Sequence, residues 1–438
     1  MRPEASASEV AATRRLGHVP GLDGLRGVAV IIVVVAHLNV FLPIPEIIVV
    51  PGGTVSLDSF FVLSGFLITV LLLKEQGRSG TVKKGAFYQR RALRLLPALL
   101  AVVIAHMLFA WASGIPGDLE RSSVLSVVFY YSNWKMAFAP ETYLGGGVFA
   151  PGLQHLWSLA MEEQFYLLWP FVVVFFLGIT RSFKVVVGVL VGLIAVIAIH
   201  RGLEFHNGMR WYPIFVRTDS RVDAILVGAL IGNLWARRRE PTRHIVPAAW
   251  IAAAFLVICM PFARVDGAFL YYGGLVLIDV ACAVMILALV DGRWTAKHLF
   301  NVKVLVSLGL VSYGIYLWHL PVFFAVEYWG KDWPSPVQVT VALGATAVFT
   351  ALSWFLLERP ALNLKNRLEG RPASSSPTRV TADDGVAAPS SYPAPGPAPA
   401  SAEAPAPAAK PVANPMASPT PSLDWSAVDG AAPDRTGD

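Results

Sequence analysis

The stretch Gly21–Leu38, GLDGLRGVAVIIVVVAHL, decides the fold. It is an apolar run long enough to enter a bilayer as a helix. Two polar side chains set its character, Arg26 where the run begins and His37 near its far end. The step between them is eleven residues, about three helical turns, so both fall within about 20° on one face and about 16 Å apart along the axis. One face therefore offers a guanidinium at a membrane surface and an imidazole deep in the hydrocarbon. An ionisable group at that depth is expensive and points to a functional site. The alternative use of such a histidine is a hydrogen bond to a neighbouring helix.

The rest of the chain has the same character. Of 438 residues 55% are hydrophobic and 15% charged, and the mean hydropathy is +0.57. That composition excludes an ordinary soluble protein. The net charge of +6 is spread over loops, so it does not indicate nucleic-acid binding. Cys259 and Cys282 both lie in apolar runs, as reduced core residues do. Further apolar runs follow at about 54–73, 95–113, 156–180, 184–200, 221–236, 246–263, 269–290, 304–328 and 337–357. The expected fold is all-α: a polytopic transmembrane helix bundle of about ten spans. A weaker run at 121–138 contains Ser, Asn and Lys and reads as a short or re-entrant helix.

With the N-terminus in the cytoplasm, basic residues on inside segments outnumber those outside by more than two to one. The expectation is a multi-pass protein of the cell membrane with both termini cytoplasmic. Residues 1–20 form a polar arm without the features of a cleavable signal. Residues 21–364 form the transmembrane domain. Residues 365–438 are rich in Pro, Ala and Ser, a composition that cannot bury a core and predicts a disordered tail.

Several motifs carry polar chemistry into these runs. FYQRRALRLLP, Phe87–Pro97, sets Arg90, Arg91 and Arg94 at the cytoplasmic mouth of the third span, with Arg90 and Arg94 on one face. Guanidinium forks bind phosphate; topogenic charge and lipid headgroup contact are the plainer reading. QHLWSLAMEEQFYLLWP, Gln154–Pro170, collects His155, Trp157, Ser158, Glu162, Glu163 and Tyr166 at the outer start of the fourth span. The seven-residue step from His155 to Glu162 places both on one helical face, where carboxylates orient a histidine or bind sugar hydroxyls. RTDSRVDAILVGALIG, Arg217–Gly232, alternates Arg217, Asp219, Arg221 and Asp223, a pattern for an ion-pair network or for substrate contact. Asp58 precedes FFVLSGFLITVLLL, in which Ser64 and Gly65 allow close helix packing, and is a candidate to hold the tautomer of His37. SYGIYLWHLP brings Ser312, Tyr313, Tyr316 and His319 within a few turns, and Glu358-Arg359-Pro360 closes the last span, with Pro360 ending the helix. His106 reads as a satisfied core histidine, and Asp279 has no evident partner. No spacing matches a metal site, a Walker loop or a nucleophile elbow.

Taken in this order, LDGLRG…H, DSFFVLSGFLIT, RRALRLLP, HLWSLAMEEQFYLLWP, RVDAILVGALIG, SYGIYLWHLP and the terminal ERP resemble the acyltransferase-3 family from about Pro20 to Leu364. That family comprises integral-membrane acyltransferases that O-acylate bacterial polysaccharides, peptidoglycan and related glycoconjugates. The resemblance implies that its Arg-x10-His motif falls on Arg26 and His37, essential for transfer. Its Arg-x-x-Arg motif falls on Arg91 and Arg94, with Arg90 adjacent, and contacts acyl-CoA. The Glu of its Trp-Ser-Leu block is Glu162 or Glu163. Many relatives add an extracytoplasmic esterase-like domain after an extra span. The Pro/Ala/Ser-rich stretch stands in that place here, which leaves open a separate extracytoplasmic transfer protein as partner. Other relatives acylate macrolides or lipids.

The expected reaction moves an acyl group, acetyl in the first instance, from acyl-CoA as co-substrate to a hydroxyl of a glycan, glycolipid or other acceptor. No permanently bound cofactor or metal is expected, and membrane lipids are the other partners. His37 acts as general base on that hydroxyl or carries the acyl group itself; Arg26 stabilises an oxyanion or phosphate; Asp58 or Glu162 holds the imidazole. His155, Trp157, Ser158, Glu163, Arg221, Asp223, Tyr313 and His319 are candidates for substrate contact. The competing class is a transporter or flippase with a proton relay, which the buried His, Asp and Glu also suit.

Overall fold

The computed structural model describes residues 16–42, 52–115, 117–138, 149–180, 182–237 and 243–368. All belong to the first of the chain's two units, Met1–Ser375. Of the expected tail, 365–438, residues 365–368 instead complete a helix, Arg359–Leu368, and those from 369 on lie outside the described residues, as do the arm before Leu16 and part of the outer segment, 139–148.

Among the described residues the regular structure is helical throughout. The long helices are α1 (Pro20–Phe41), α2 (Gly53–Ser79), α3 (Lys84–Ala112), α6 (Trp157–Ile179), α7 (Phe183–His206), α10 (Asp223–Arg237), α11 (Ile245–Cys259), α12 (Leu275–Asp291), α15 (Ser312–Trp329) and α16 (Ser335–Ser353). Short helices connect them: α4 (Gly117–Val128), α5 (Ser132–Ala137), α8 (Trp211–Val216), α9 (Thr218–Arg221), α13 (Lys297–Phe300), α14 (Lys303–Leu310) and α17 (Arg359–Leu368). Among the described residues eight helices are long and apolar enough to cross a membrane, and nine if α14 and α15, bent by 71°, are one broken span. The remaining expected span is α10. Its 15 residues reach only about 22 Å at 1.5 Å per residue, short of the hydrocarbon thickness, and almost every side chain on it is buried. The weak run at 121–138 is the pair α4 and α5, two short helices and no span.

The bundle is built around α2, whose buried side chains lie on all of its faces. It meets α10 almost backbone to backbone. A Cβ added at Gly65 would lie 1.9 Å from the Ile225 carbonyl oxygen, and one at Gly228 would lie 2.0 Å from that of Val62. Each glycine thus admits the other helix, the small-residue packing that membrane helices use in place of a hydrophobic driving force. At the opposite extreme α7 turns Val185, Val191, Val196 and Ile199 outward, where lipid is the solvent.

Prolines interrupt these helices less than expected. Pro97, Pro170 and Pro321 all lie inside continuous helices. Pro360 does not end the last span either. A π-turn over Trp354–Glu358 shifts the hydrogen-bond register, and Pro360 falls in the first turn of α17, where its missing N–H costs little.

Candidate active site

Two cavities share the basic end of α2 and α3. The outer one, about 740 Å³, is lined by Lys74, Arg78 and Lys83, by Arg90, Arg91 and Arg94, and by Lys365 of α17. The inner one, about 360 Å³, shares Ile68, Leu71, Lys74, Arg91 and Arg94 with it. From there it runs along apolar side chains of α2 (Leu57, Phe60, Leu63, Leu67) to Ser158 and Tyr316. A cationic mouth thus leads into a mostly apolar channel, the composition that suits a ligand with a charged head and a thin neutral arm.

Polar side chains make up about half of the residues that line the channel, and most of them are paired. Arg26 lines it and donates to Asp23 of its own helix at 2.9 Å. Arg91 donates to Glu163 at 2.8 Å and lies 3.3 Å from the centre of the Tyr166 ring. Arg90 faces only the outer cavity and donates to Glu75 at 3.2 Å. Arg94 lines both cavities, and no hydrogen bond or ion pair engages its guanidinium among the described residues. The pair that reaches the inner channel is therefore Arg91 and Arg94, not the Arg90 and Arg94 that share a helical face. Ser64, Tyr166 and Glu162 form one cluster: the two hydroxyls bond to each other, and whichever of them accepts there donates to Glu162, 3.2 Å from Ser64 and 3.5 Å from Tyr166. Tyr313 lines the channel and donates to the Leu95 carbonyl at 2.8 Å.

The inner end of the channel is a hydroxyl pair. Tyr316 and Ser158 share a hydrogen bond of 2.5 Å, and Tyr316 also donates to the His155 carbonyl at 2.6 Å. Behind them stand three histidines from separate elements. His37 of α1 and His319 of α15 have ring centres 5.0 Å apart, and His155 lies edge-on to His319 at 4.9 Å. His155 and His319 are buried, whereas His37 keeps accessible surface. His37 does not line the inner cavity; it lies behind His319, whose ring centre is 5.6 Å from that of Tyr316 at the cavity's end.

Two expected pairings are corrected by these positions. Asp58 does not hold His37: its carboxylate accepts from Arg221 at 2.5 Å, and both are fully buried. Nor do His155 and Glu162 share a helical face. His155 lies on a 3-10 turn, Pro151–Leu156, that ends where α6 begins, so the seven-residue step is not a helical one. His155 turns to α15 while Glu162 turns to the channel. Trp157 is buried among Phe61 and Phe215, away from the channel.

Arg221 and Asp223 belong to a separate charged cluster. Arg201 of α7 donates to Asp223 at 2.7 Å and to the Ser220 carbonyl at 2.7 Å. Asp279 of α12 lies within electrostatic reach of both arginines. All five groups, Asp58, Arg201, Arg221, Asp223 and Asp279, have no exposed surface. Arg221 and Asp223 of the alternating charges thus sit in a network, with three members the motif did not contain, while Arg217 pairs with Asp219 and Glu204 outside it. His106 has a partner as well, Glu120 of α4 at 2.6 Å, and both are buried. Tyr316, Ser64 and Tyr166 are the channel residues that sequence reasoning did not place in the site. Tyr316 and Tyr166 lay in quoted motifs, and their four-residue steps to a polar neighbour were the available signal.

An acyltransferase-domain family model, acyltransferase-3, matches residues 19–358. Among similar proteins, a "Putative O-acetyltransferase" of Staphylococcus aureus (strain COL) is 32% identical over 363 residues, which covers 79% of this chain and 58% of that protein. A "Putative peptidoglycan O-acetyltransferase" of Bacillus subtilis (strain 168) is 31% identical over 361 residues, 80% of this chain and 55% of the relative. A "Peptidoglycan O-acetyltransferase" of Listeria monocytogenes serovar 1/2a is 30% identical over 353 residues, 78% of this chain and 56% of the relative. The chain therefore spans less than two thirds of the length of these relatives. No solved structure is a significant match.

Proposed function

Because this chain belongs to the acyltransferase-3 family, we propose that it is a membrane-embedded O-acyltransferase that moves an acetyl group from acetyl-CoA to a hydroxyl of a cell-envelope carbohydrate. Family membership favours this over the transporter class. The peptidoglycan O-acetyltransferase among its relatives makes a cell-wall glycan the first acceptor to try. The single observation that carries the donor assignment is the cavity pair: a cationic mouth of about 740 Å³ opening into an apolar channel of about 360 Å³ that ends next to the histidines.

The donor's phosphates lie on the cations of the mouth, with Arg94 as the guanidinium left open for a bidentate contact. The neutral pantetheine arm lies in the channel and carries the thioester toward Ser158 and Tyr316. The acceptor oxygen attacks the thioester carbonyl carbon. A C–O bond forms, the C–S bond breaks, and the hydroxyl proton passes to His37 and from there to the departing thiolate. In the variant with an acyl carrier, a His37 nitrogen bonds to the acetyl carbon as the C–S bond breaks and the CoA thiolate leaves; the acceptor oxygen then forms the C–O bond as the C–N bond breaks, and the freed imidazole nitrogen takes the acceptor's proton. Arg26, about 16 Å along the helix from His37, suits a donor phosphate and not the oxyanion. The mouth faces the cytoplasm, where acyl-CoA is made, and a separate extracytoplasmic transfer protein is a partner to look for.

The test is a donor titration. Membranes holding wild type or Arg94→Ala are supplied with labelled acetyl-CoA over a range of concentrations, and label in the glycan fraction is counted. Arg94→Ala raises the donor KM with little change in kcat. An unchanged KM would remove acyl-CoA from the cavity.

A further inference from the structure

Among the described residues no carboxylate bonds to His37: Asp58 is held by Arg221, and Glu162 by Ser64 and Tyr166. What touches His37 is another imidazole. His319 Nε2 lies 3.3 Å from His37 Nδ1. The hydrogens on both rings follow from their other neighbours. His319 Nδ1 lies 2.7 Å from the Tyr316 carbonyl oxygen and 3.2 Å from that of Ile315. A carbonyl oxygen only accepts, so His319 Nδ1 carries the hydrogen, and Nε2 of the neutral ring is an acceptor. His37 Nδ1 lies 2.9 Å from the Val33 carbonyl oxygen. It thus faces two acceptors, Val33 O and His319 Nε2, and it too carries the hydrogen. The reverse arrangement sets a bare Nδ1 lone pair against a carbonyl oxygen. A second hydrogen on His319 would set donor against donor. His155, edge-on to His319, makes no ring hydrogen bond of ordinary geometry among the described residues and competes for neither atom.

We propose that His319 is the positioning residue of His37: its Nε2, beside the Val33 carbonyl, accepts the Nδ1–H of His37, and the two acceptors together fix the tautomer in which His37 Nε2, on the far side of the ring, keeps its lone pair for the acceptor's proton or for the acyl carbon. When His37 takes that proton, Nδ1–H goes on donating to His319, and the imidazolium stays oriented. A neutral imidazole thus fills the place that a carboxylate fills in a Ser-His-Asp triad. This assignment rests on the proposed role of His37 in transfer.

Two variants separate positioning from packing. In His319→Gln the side-chain carbonyl reaches about where Nε2 stood and still accepts. In His319→Asn the amide stops at the δ position and leaves His37 Nδ1 without that acceptor. The tautomer is read by solid-state ¹⁵N NMR of ¹⁵N-histidine-labelled protein in liposomes, with the His37 signals assigned by their loss in His37→Asn. The expected result is a hydrogen on Nδ1 and a bare Nε2 for His37 in wild type and in His319→Gln, and in His319→Asn, where the Val33 carbonyl is the one of these two acceptors left, a larger share of the Nε2–H tautomer than in wild type. Transfer by His319→Asn falls at least about tenfold in kcat at unchanged donor KM, against about 10⁴ when the carboxylate orienter of a triad is replaced; His319→Gln restores most of it. A hydrogen on His37 Nε2 in wild type would overturn the proposal, as would equal kcat for both variants and wild type. The tautomer is read without turnover. Transfer that survives loss of His37 would therefore sink the proposed function and leave the pairing standing, whereas an Nε2–H tautomer sinks the pairing and leaves the function standing.

Discussion

Arg94 is the residue on which the donor reading leans most. Arg26 and Arg91 line the same channel but each already has a carboxylate, Asp23 and Glu163. A hydrogen bond to a charged group contributes about 1.5–3 kcal/mol, so Arg94→Ala is expected to raise the donor KM about ten- to a hundredfold. Arg94→Lys keeps the charge but loses the planar fork and recovers only part of that. Asp58 and Arg221 make the opposite kind of prediction, one of stability. Asp58→Ala leaves a guanidinium buried without its carboxylate, at a cost of about 3–5 kcal/mol, while Asp58→Leu with Arg221→Met removes both charges and costs less than either single change. Thermal unfolding in detergent measures this, and strictly additive losses would mean that the pair is not coupled. Which residues meet across helices was the part the sequence concealed. His37, His155 and His319 come from elements more than a hundred residues apart. Asp58 reads from the sequence as a partner of His37, whereas the end of α9 brings Arg221 to it. Arg201 read as a loop charge because α7 runs on to His206.

At the scale of the helix, the α2–α10 crossing is set by two glycines that face opposite backbones. Gly65→Ala and Gly228→Ala each force the helices apart, and overpacking of this kind costs about 1–3 kcal/mol. Gly188→Ala on α7 is the control: its added Cβ meets nothing within 4 Å, and replacing a mid-helix glycine there leaves stability unchanged or raises it. Equal unfolding temperatures for all three variants would contradict the close approach. The helices themselves were legible, because a bilayer demands apolar stretches of a given length and leaves few alternatives. The exceptions have local causes. α10 is shorter than a full span because it sits inside the bundle, packed on α2. The last span passes Pro360 because a π-turn precedes it, and nothing in a hydrophobicity pattern signals a change of hydrogen-bond register.

For the whole molecule, the distribution of Lys and Arg predicts the orientation: the end that carries Lys74, Arg78 and Arg90 faces the cytoplasm. The two native cysteines are buried, so single introduced cysteines report topology against a low background. Ser79→Cys is expected to react with a membrane-impermeant maleimide only after permeabilisation, and Lys331→Cys in intact cells. The reverse pattern would put the cationic cavity on the side without acyl-CoA and break the donor assignment. The same orientation places His37 beyond the channel's inner end, on the acceptor's side of Tyr316. The central claim is that this bundle transfers an acyl group through His37. The measurement that tests it most directly follows label from [acetyl-¹⁴C]acetyl-CoA into the glycan fraction of membranes that hold equal amounts of correctly inserted wild type or His37→Ala. The prediction is incorporation with wild type that falls by about 10² to 10⁴ in the variant, the usual cost of losing a general base. Equal incorporation by both proteins would contradict it.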